Sequence, residues 1–118
     1  EYFAMPNGNA GYPPRFMLLV PPVKPEMRSK IPAVTHVDGT GRLQAVVKEE
    51  NPLYYRLIER FGEKTGVPVV LNTSFNLKGE PMVTSPAQAY STIVRSGMDM
   101  LVVGRFVVEK KTQTREET

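Results

Sequence analysis

Short hydrogen-bonding side chains crowd into one stretch of this chain, Val69-Val70-Leu71-Asn72-Thr73-Ser74-Phe75-Asn76-Leu77-Lys78-Gly79-Glu80-Pro81. An apolar, β-branched run stops there and gives way to amides and hydroxyls, closed by Gly79 and Pro81. Such side chains compete for backbone groups and favour turns over cores. Just past a buried strand they form a polar crevice suited to phosphate oxygens or a small carbonyl compound. Ligands of α/β sheets bind beyond the carboxyl ends of the strands. Asn72 and Ser74, two apart on extended chain, point to one side and are placed to hold a ligand together, with Thr73 facing the other way. Asn76 completes the polar set. The alternative is a turn whose side chains bond only their own backbone.

A second cluster is Thr35-His36-Val37-Asp38-Gly39-Thr40-Gly41-Arg42. Asp38-Gly39 is a turn signal. Around it stand His36, Thr40 and Arg42, whose permanent charge and planar donor fork suit phosphate or carboxylate. Asp38 is placed to orient Arg42 or His36. A surface hairpin tip with an ion pair worth about 0–1 kcal/mol is the plain alternative. Joined to the polar strand end, the Arg42 fork makes one anion site. Lys24, Arg28 and Lys30 form a weaker basic scatter.

The elements that position these groups read as follows. Residues 1–30 are rich in Pro and Gly and form an irregular arm, with residues 16–20 as its one strand, ended by Pro21-Pro22. Residues 33–37 and 42–47 alternate around a Gly-containing loop and predict a β-hairpin. Asn51-Pro52 opens a helix with Leu53, Tyr54, Leu57, Ile58 and Phe61 at helical spacing, closed by Gly66. Residues 67–71 predict a strand covered on both faces. Ser85-Pro86-Ala87-Gln88 is a capping box that starts a second helix, stopped by Gly97. Residues 100–103 and 106–108 predict a last strand or bent hairpin around Gly104, and residues 110–118 a flexible tail. The order arm–β–β–β–α–β–α–β–β is that of an α/β sheet domain.

Composition narrows the chemistry. A chain of 118 residues suffices for one domain. It has no Cys and one His, which removes thiolate catalysis and argues against a metal site made wholly within it. The formal net charge of +3 is scattered, with no block that demands a membrane or nucleic acid, and its cations are not interleaved with aromatics as a single-strand platform requires. No apolar run approaches membrane-spanning length and no cleavable signal opens the chain, so a cytoplasmic location is the expectation.

The two motifs, in this order, resemble the C-terminal domain of the carbamoyltransferases that modify nodulation factors and antibiotics. The resemblance runs from Glu1-Tyr2-Phe3 to about Val108. Its anchors are Ile31-Pro32-Ala33-Val34-Thr35-His36-Val37-Asp38-Gly39-Thr40-Gly41-Arg42-Leu43-Gln44-Ala45-Val46 and residues 68–81. Thr73-Ser74-Phe75-Asn76-Leu77-Lys78-Gly79-Glu80-Pro81 is similar to the Thr-Ser-Ala-Asn-x-x-Gly-x-Pro signature of YrdC-like proteins, with Phe75 in place of Ala. The resemblance implies a YrdC-like twisted mixed sheet with two packed helices. It implies formation of carbamoyl adenylate from carbamoyl phosphate and ATP, accompanied by Mg, and transfer to a substrate hydroxyl by an N-terminal ASKHA-type domain holding a metal ion. The family's adenylate-site Arg, Asn and Ser fall on Arg42, Asn72 and Ser74, with His36, Asp38, Thr40, Thr73 and Asn76 lining the substrate site. The family's Gly-Pro-Arg-Ala-Leu-Gly run, Lys-x-Arg-Glu strand and N-terminal domain are absent, so a partial domain inactive alone is the expectation. A non-catalytic docking domain for the N-terminal part is the competing function.

Overall fold

The computed structural model describes residues 1–5 and 13–111. They fall into two compact units, 1–72 and 73–118. Residues 6–12 of the arm and 112–118 of the tail lie outside the described residues. Helices and strands are both present, as the α/β reading expects, but the regular sheet is one antiparallel pair.

In the first unit the arm itself is the pairing partner of the second motif. Gly41 N–H donates to the Pro21 carbonyl at 3.1 Å and Leu43 N–H to Leu19 at 3.2 Å, while Val23 N–H donates to Gly39 at 2.9 Å. Isolated bridges Leu19↔Leu43 and Pro22↔Thr40 share this antiparallel register, and Phe3↔Val23 adds residues 2–4 on the arm's other side. The expected hairpin of residues 33–37 with 42–47 is therefore corrected. Pro32–Val34 is a 3-10 turn instead. The arm prolines do not prevent pairing, because Pro14, Pro21 and Pro22 serve only as acceptors. Residues 16–20 do not form the regular strand expected of them: Met17 has a φ of 52°, in the left-handed region.

Helix α1 (Pro52–Thr65) begins where the sequence places it. Asn51 Oδ1 accepts from the Tyr54 N–H at 3.2 Å, Pro52 occupies the first turn, and Gly66 ends the helix in a left-handed cap. Asn51→Ala should cost about 1 kcal/mol, read as a lower denaturant midpoint with unchanged slope. No residue of α1 is buried. Leu53 and Leu57 are 81% and 60% exposed while Tyr54 and Ile58 are half-buried, so its apolar stripe is only partly covered. One turn on from Ile58, Gly62 meets Pro68, where a Cβ would lie 2.6 Å from the Pro68 Cβ. Residues 67–71 are half-buried or exposed and form no ladder among the described residues, which corrects the doubly covered strand.

In the second unit Ser85 caps helix α2 (Pro86–Arg95), accepting from the Gln88 N–H at 3.3 Å. The returning half of the box shifts by one residue: the Gln88 side chain accepts from the N–H and hydroxyl of Thr84, at 2.9 and 3.0 Å. Strands β1 (Met100–Val103) and β2 (Phe106–Glu109) pair antiparallel, Leu101 opposite Val108. Ala89, Ile93 and Leu101 form the buried core, with Phe75, Val83, Val103 and Val108 packed against it. No helix among the described residues is long and apolar enough to cross a membrane.

Candidate functional site

Three of the candidate residues form one hydrogen-bonded turn. Thr40 Oγ1 donates to Asp38 Oδ1 at 2.7 Å, and the Thr40 N–H donates to the same oxygen at 3.0 Å. His36 Nδ1 lies 3.0 Å from Thr40 Oγ1. Since that hydroxyl's proton goes to Asp38, the His36 nitrogen is the donor, which places a proton on Nδ1 and leaves Nε2 exposed. The backbone closes the same loop, His36 N–H donating to Thr40 at 2.7 Å and Gly39 N–H to His36 at 2.9 Å. Gly39 has a φ of 81°. A Cβ there would also lie 2.5 Å from the Arg28 guanidinium carbon. Arg28, which the sequence leaves in a weak basic scatter, is thus a second permanent cation against the turn, anchored by a 3.2 Å bond from its Nε to the Val23 carbonyl.

The Thr40 hydroxyl first, and then the Thr40 N–H, hold the Asp38 carboxyl below its ordinary value of 3.8. A depressed folded-state value stabilises the fold above the unfolded value. The contribution is therefore complete above about 3.8 and is lost as the pH falls from there through the lower folded value. In an NMR titration the Thr40 amide should move with a midpoint below that of a free aspartate. A midpoint at or above the free value would contradict the hydrogen-bonded turn.

Asp38 bonds Thr40, so it does not orient Arg42 by an ion pair. Arg42 is exposed and makes no ion pair with any described residue. Two residues on, Gln44 shares its face. Gln44 Oε1 accepts from Asn72 Nδ2 at 2.9 Å, which sets Asn72 beside the strand that carries Arg42. Gln44 is not among the residues that its type alone singles out. Its signal was the alternation itself, which puts a third hydrogen-bonding group on the Arg42 face.

In the second unit Thr73 and Ser74 are exposed, with no hydrogen bond to the described residues. Asn76 is committed to structure: its Nδ2 donates to the carbonyls of Leu77 at 3.2 Å and Glu80 at 3.0 Å. Arg95 grips both Glu80 oxygens, at 2.6 and 3.0 Å. That pairing holds the Glu80 carboxyl below its ordinary 4.5. Glu80 and Arg95 therefore clamp the loop that follows Ser74, a role that a separation of 15 positions hides from the sequence. No group of three or more metal-ligating side chains occurs among the described residues.

Comparison with known proteins places these motifs. A carbamoyltransferase C-terminus family model matches residues 1–110. The chain is 44% identical over 117 residues to nodulation protein NolNO of Sinorhizobium fredii, covering 99% of this chain and 17% of the relative. It is 40% identical to nodulation protein NolO of Bradyrhizobium diazoefficiens, covering 99% and 21%. Against the 3'-hydroxymethylcephem-O-carbamoyltransferase of Amycolatopsis lactamdurans it is 38% identical over 76 residues, covering 64% and 15%. The chain thus spans about a fifth or less of the length of these relatives. With the matched model extending through both the Arg42 turn and the Asn72 to Pro81 loop, this chain belongs to the carbamoyltransferase C-terminus family.

Proposed function

We propose that this chain supplies the carbamoyl-activating site of an O-carbamoyltransferase, forming carbamoyl adenylate from carbamoyl phosphate and ATP. A separate N-terminal, ASKHA-type domain with its own metal ion passes the carbamoyl group to a substrate hydroxyl. The observation that carries this is Arg42, an exposed guanidinium without an ion pair among the described residues, directly after a rigid turn. A planar fork held in this way is suited to phosphate oxygens. The family match supplies the reaction class, and the YrdC-like signature supplies the adenylate.

The atoms balance as follows. Water takes the phosphoryl group of carbamoyl phosphate, giving orthophosphate and carbamate. A carbamate oxygen attacks the α-phosphorus of ATP, and pyrophosphate leaves with the electron pair of the broken P–O bond. Arg42 offsets the charge growing on the α-phosphate. Asn72 and Ser74 orient the carbamoyl and phosphate oxygens, and no side chain needs to become a covalent nucleophile. His36, Asp38 and Thr40 fix the turn, while Thr73 and Asn76 shape the second loop. Mg²⁺ arrives with ATP as part of the substrate. Both substrates belong to the cytoplasm, which sets the proposed location.

The test uses the intact polypeptide that contains this chain, given ATP and carbamoyl phosphate. Pyrophosphate should appear only when both substrates are present, with at least one orthophosphate formed for each pyrophosphate. If the carbamoyl group reaches a hydroxyl without any pyrophosphate, adenylate formation is excluded and the non-catalytic docking role takes its place.

A further inference from the structure

Beyond the turn, the backbone of residues 41–46 is hydrogen-bonded along one edge only among the described residues. Gly41, Leu43 and Ala45 donate their N–H groups to the arm, to Pro21, Leu19 and Pro14 at 3.1, 3.2 and 2.8 Å. Along an extended strand, alternate N–H groups point to opposite edges. Those of Arg42, Gln44 and Val46 therefore point away from the arm, and none has a partner among the described residues.

That free edge borders a cleft of about 580 Å³ within the first unit, lined by Gln44, Val46, Tyr55, Ile58, Gly62 and Pro68. Beyond Pro68 the apolar run continues, and the N–H groups of Val70 and Leu71 are also without backbone partners among the described residues. An unpaired edge above a mostly apolar trough, with Glu59 also in its lining, is the geometry that an added β-strand fills.

We propose that the cleft holds one extended strand from the remainder of the carbamoyltransferase polypeptide. It pairs with the free edge of residues 42–46 and turns alternate apolar side chains toward Tyr55, Ile58 and Pro68. Three free donors at every second position correspond to a partner of about five residues. The source follows from the comparisons. NolNO and NolO carry roughly four-fifths of their length outside the matched segment. A strand tethered on the same polypeptide reaches the cleft at high effective concentration, which a separate peptide does not. This inference concerns backbone pairing and does not depend on the carbamoyl-activating role.

Amide hydrogen exchange, resolved to single residues in the intact polypeptide, tests it. The N–H groups of Arg42, Gln44 and Val46 should exchange as slowly as those of Leu43 and Ala45, within about tenfold. A Val46→Pro variant, which removes one free-edge donor, should raise exchange at Gln44 about 100-fold while Leu43 stays protected. Even-numbered amides that exchange about 100-fold faster than their odd neighbours in the intact protein would overturn the proposal. So would protection of the even-numbered amides already present in the dilute 118-residue chain alone. Protection of that chain that rises with its concentration and is missing from the intact monomer would assign the cleft to a second copy, and would also overturn it.

Discussion

Arg42→Ala in the intact polypeptide should lower pyrophosphate release by about 100- to 1,000-fold, the loss typical of removing one charge-stabilising donor. The expectation rests on where the guanidinium stands. It is exposed, it has no ion pair among the described residues, and it follows a turn closed by Asp38 and Thr40. A free cation on a rigid strand contributes little to folding, because nothing in the fold needs it. Exposed substitutions of this kind stay within about 0.5 kcal/mol. The melting temperature should therefore hardly move while turnover collapses. Arg42→Lys keeps the charge and loses the fork, so it should recover only part of the rate. Wild-type turnover in the alanine variant would remove Arg42 from the chemistry.

The second large effect belongs to packing. Ile93→Ala should destabilise the second unit by about 2–5 kcal/mol, and Ile93→Val by about 0.5–1.5 kcal/mol. Ile93 is 1% exposed and, among the described residues, packs in a small buried apolar cluster with Ala89 and Leu101. So small a core has no spare apolar area to repair the cavity. The damage should reach the loop that carries Ser74, because Phe75 and Val83 pack on that core and the Val83 N–H donates to the Phe75 carbonyl at 2.9 Å. Chemical denaturation reads the stability, and pyrophosphate release under folding conditions reads the site. An alanine variant within about 0.5 kcal/mol of wild type would mean that the core lies elsewhere.

Arg42 and Asn72 were legible as candidates because their chemistry is written in residue type. Their surroundings were not. Gln44 bonds Asn72 across 28 residues of sequence, and Arg95 grips Glu80 across 15. Such contacts depend on where distant segments come to rest. Arg28 looked like solvated arm charge, and only the fold lays it against Gly39. Asn76 shows the reverse: as a residue type it suited a ligand, and its amide is spent on the carbonyls of Leu77 and Glu80.

The sequence alone determined the helices and their ends. Asn51-Pro52 and Ser85-Pro86 satisfy orphan N–H groups from within a few residues, so the information is local. It also determined the turn at Asp38-Gly39. Tertiary structure decided which segment pairs with residues 39–45. Residues 33–37 had the alternation but begin in a 3-10 turn, and the proline-rich arm took their place by offering carbonyls rather than N–H groups. It also left residues 67–71 without a ladder among the described residues, although their apolar content reads as a covered strand. Helices close their hydrogen bonds within four residues, whereas a strand's partner can lie anywhere along the chain or on another stretch of polypeptide.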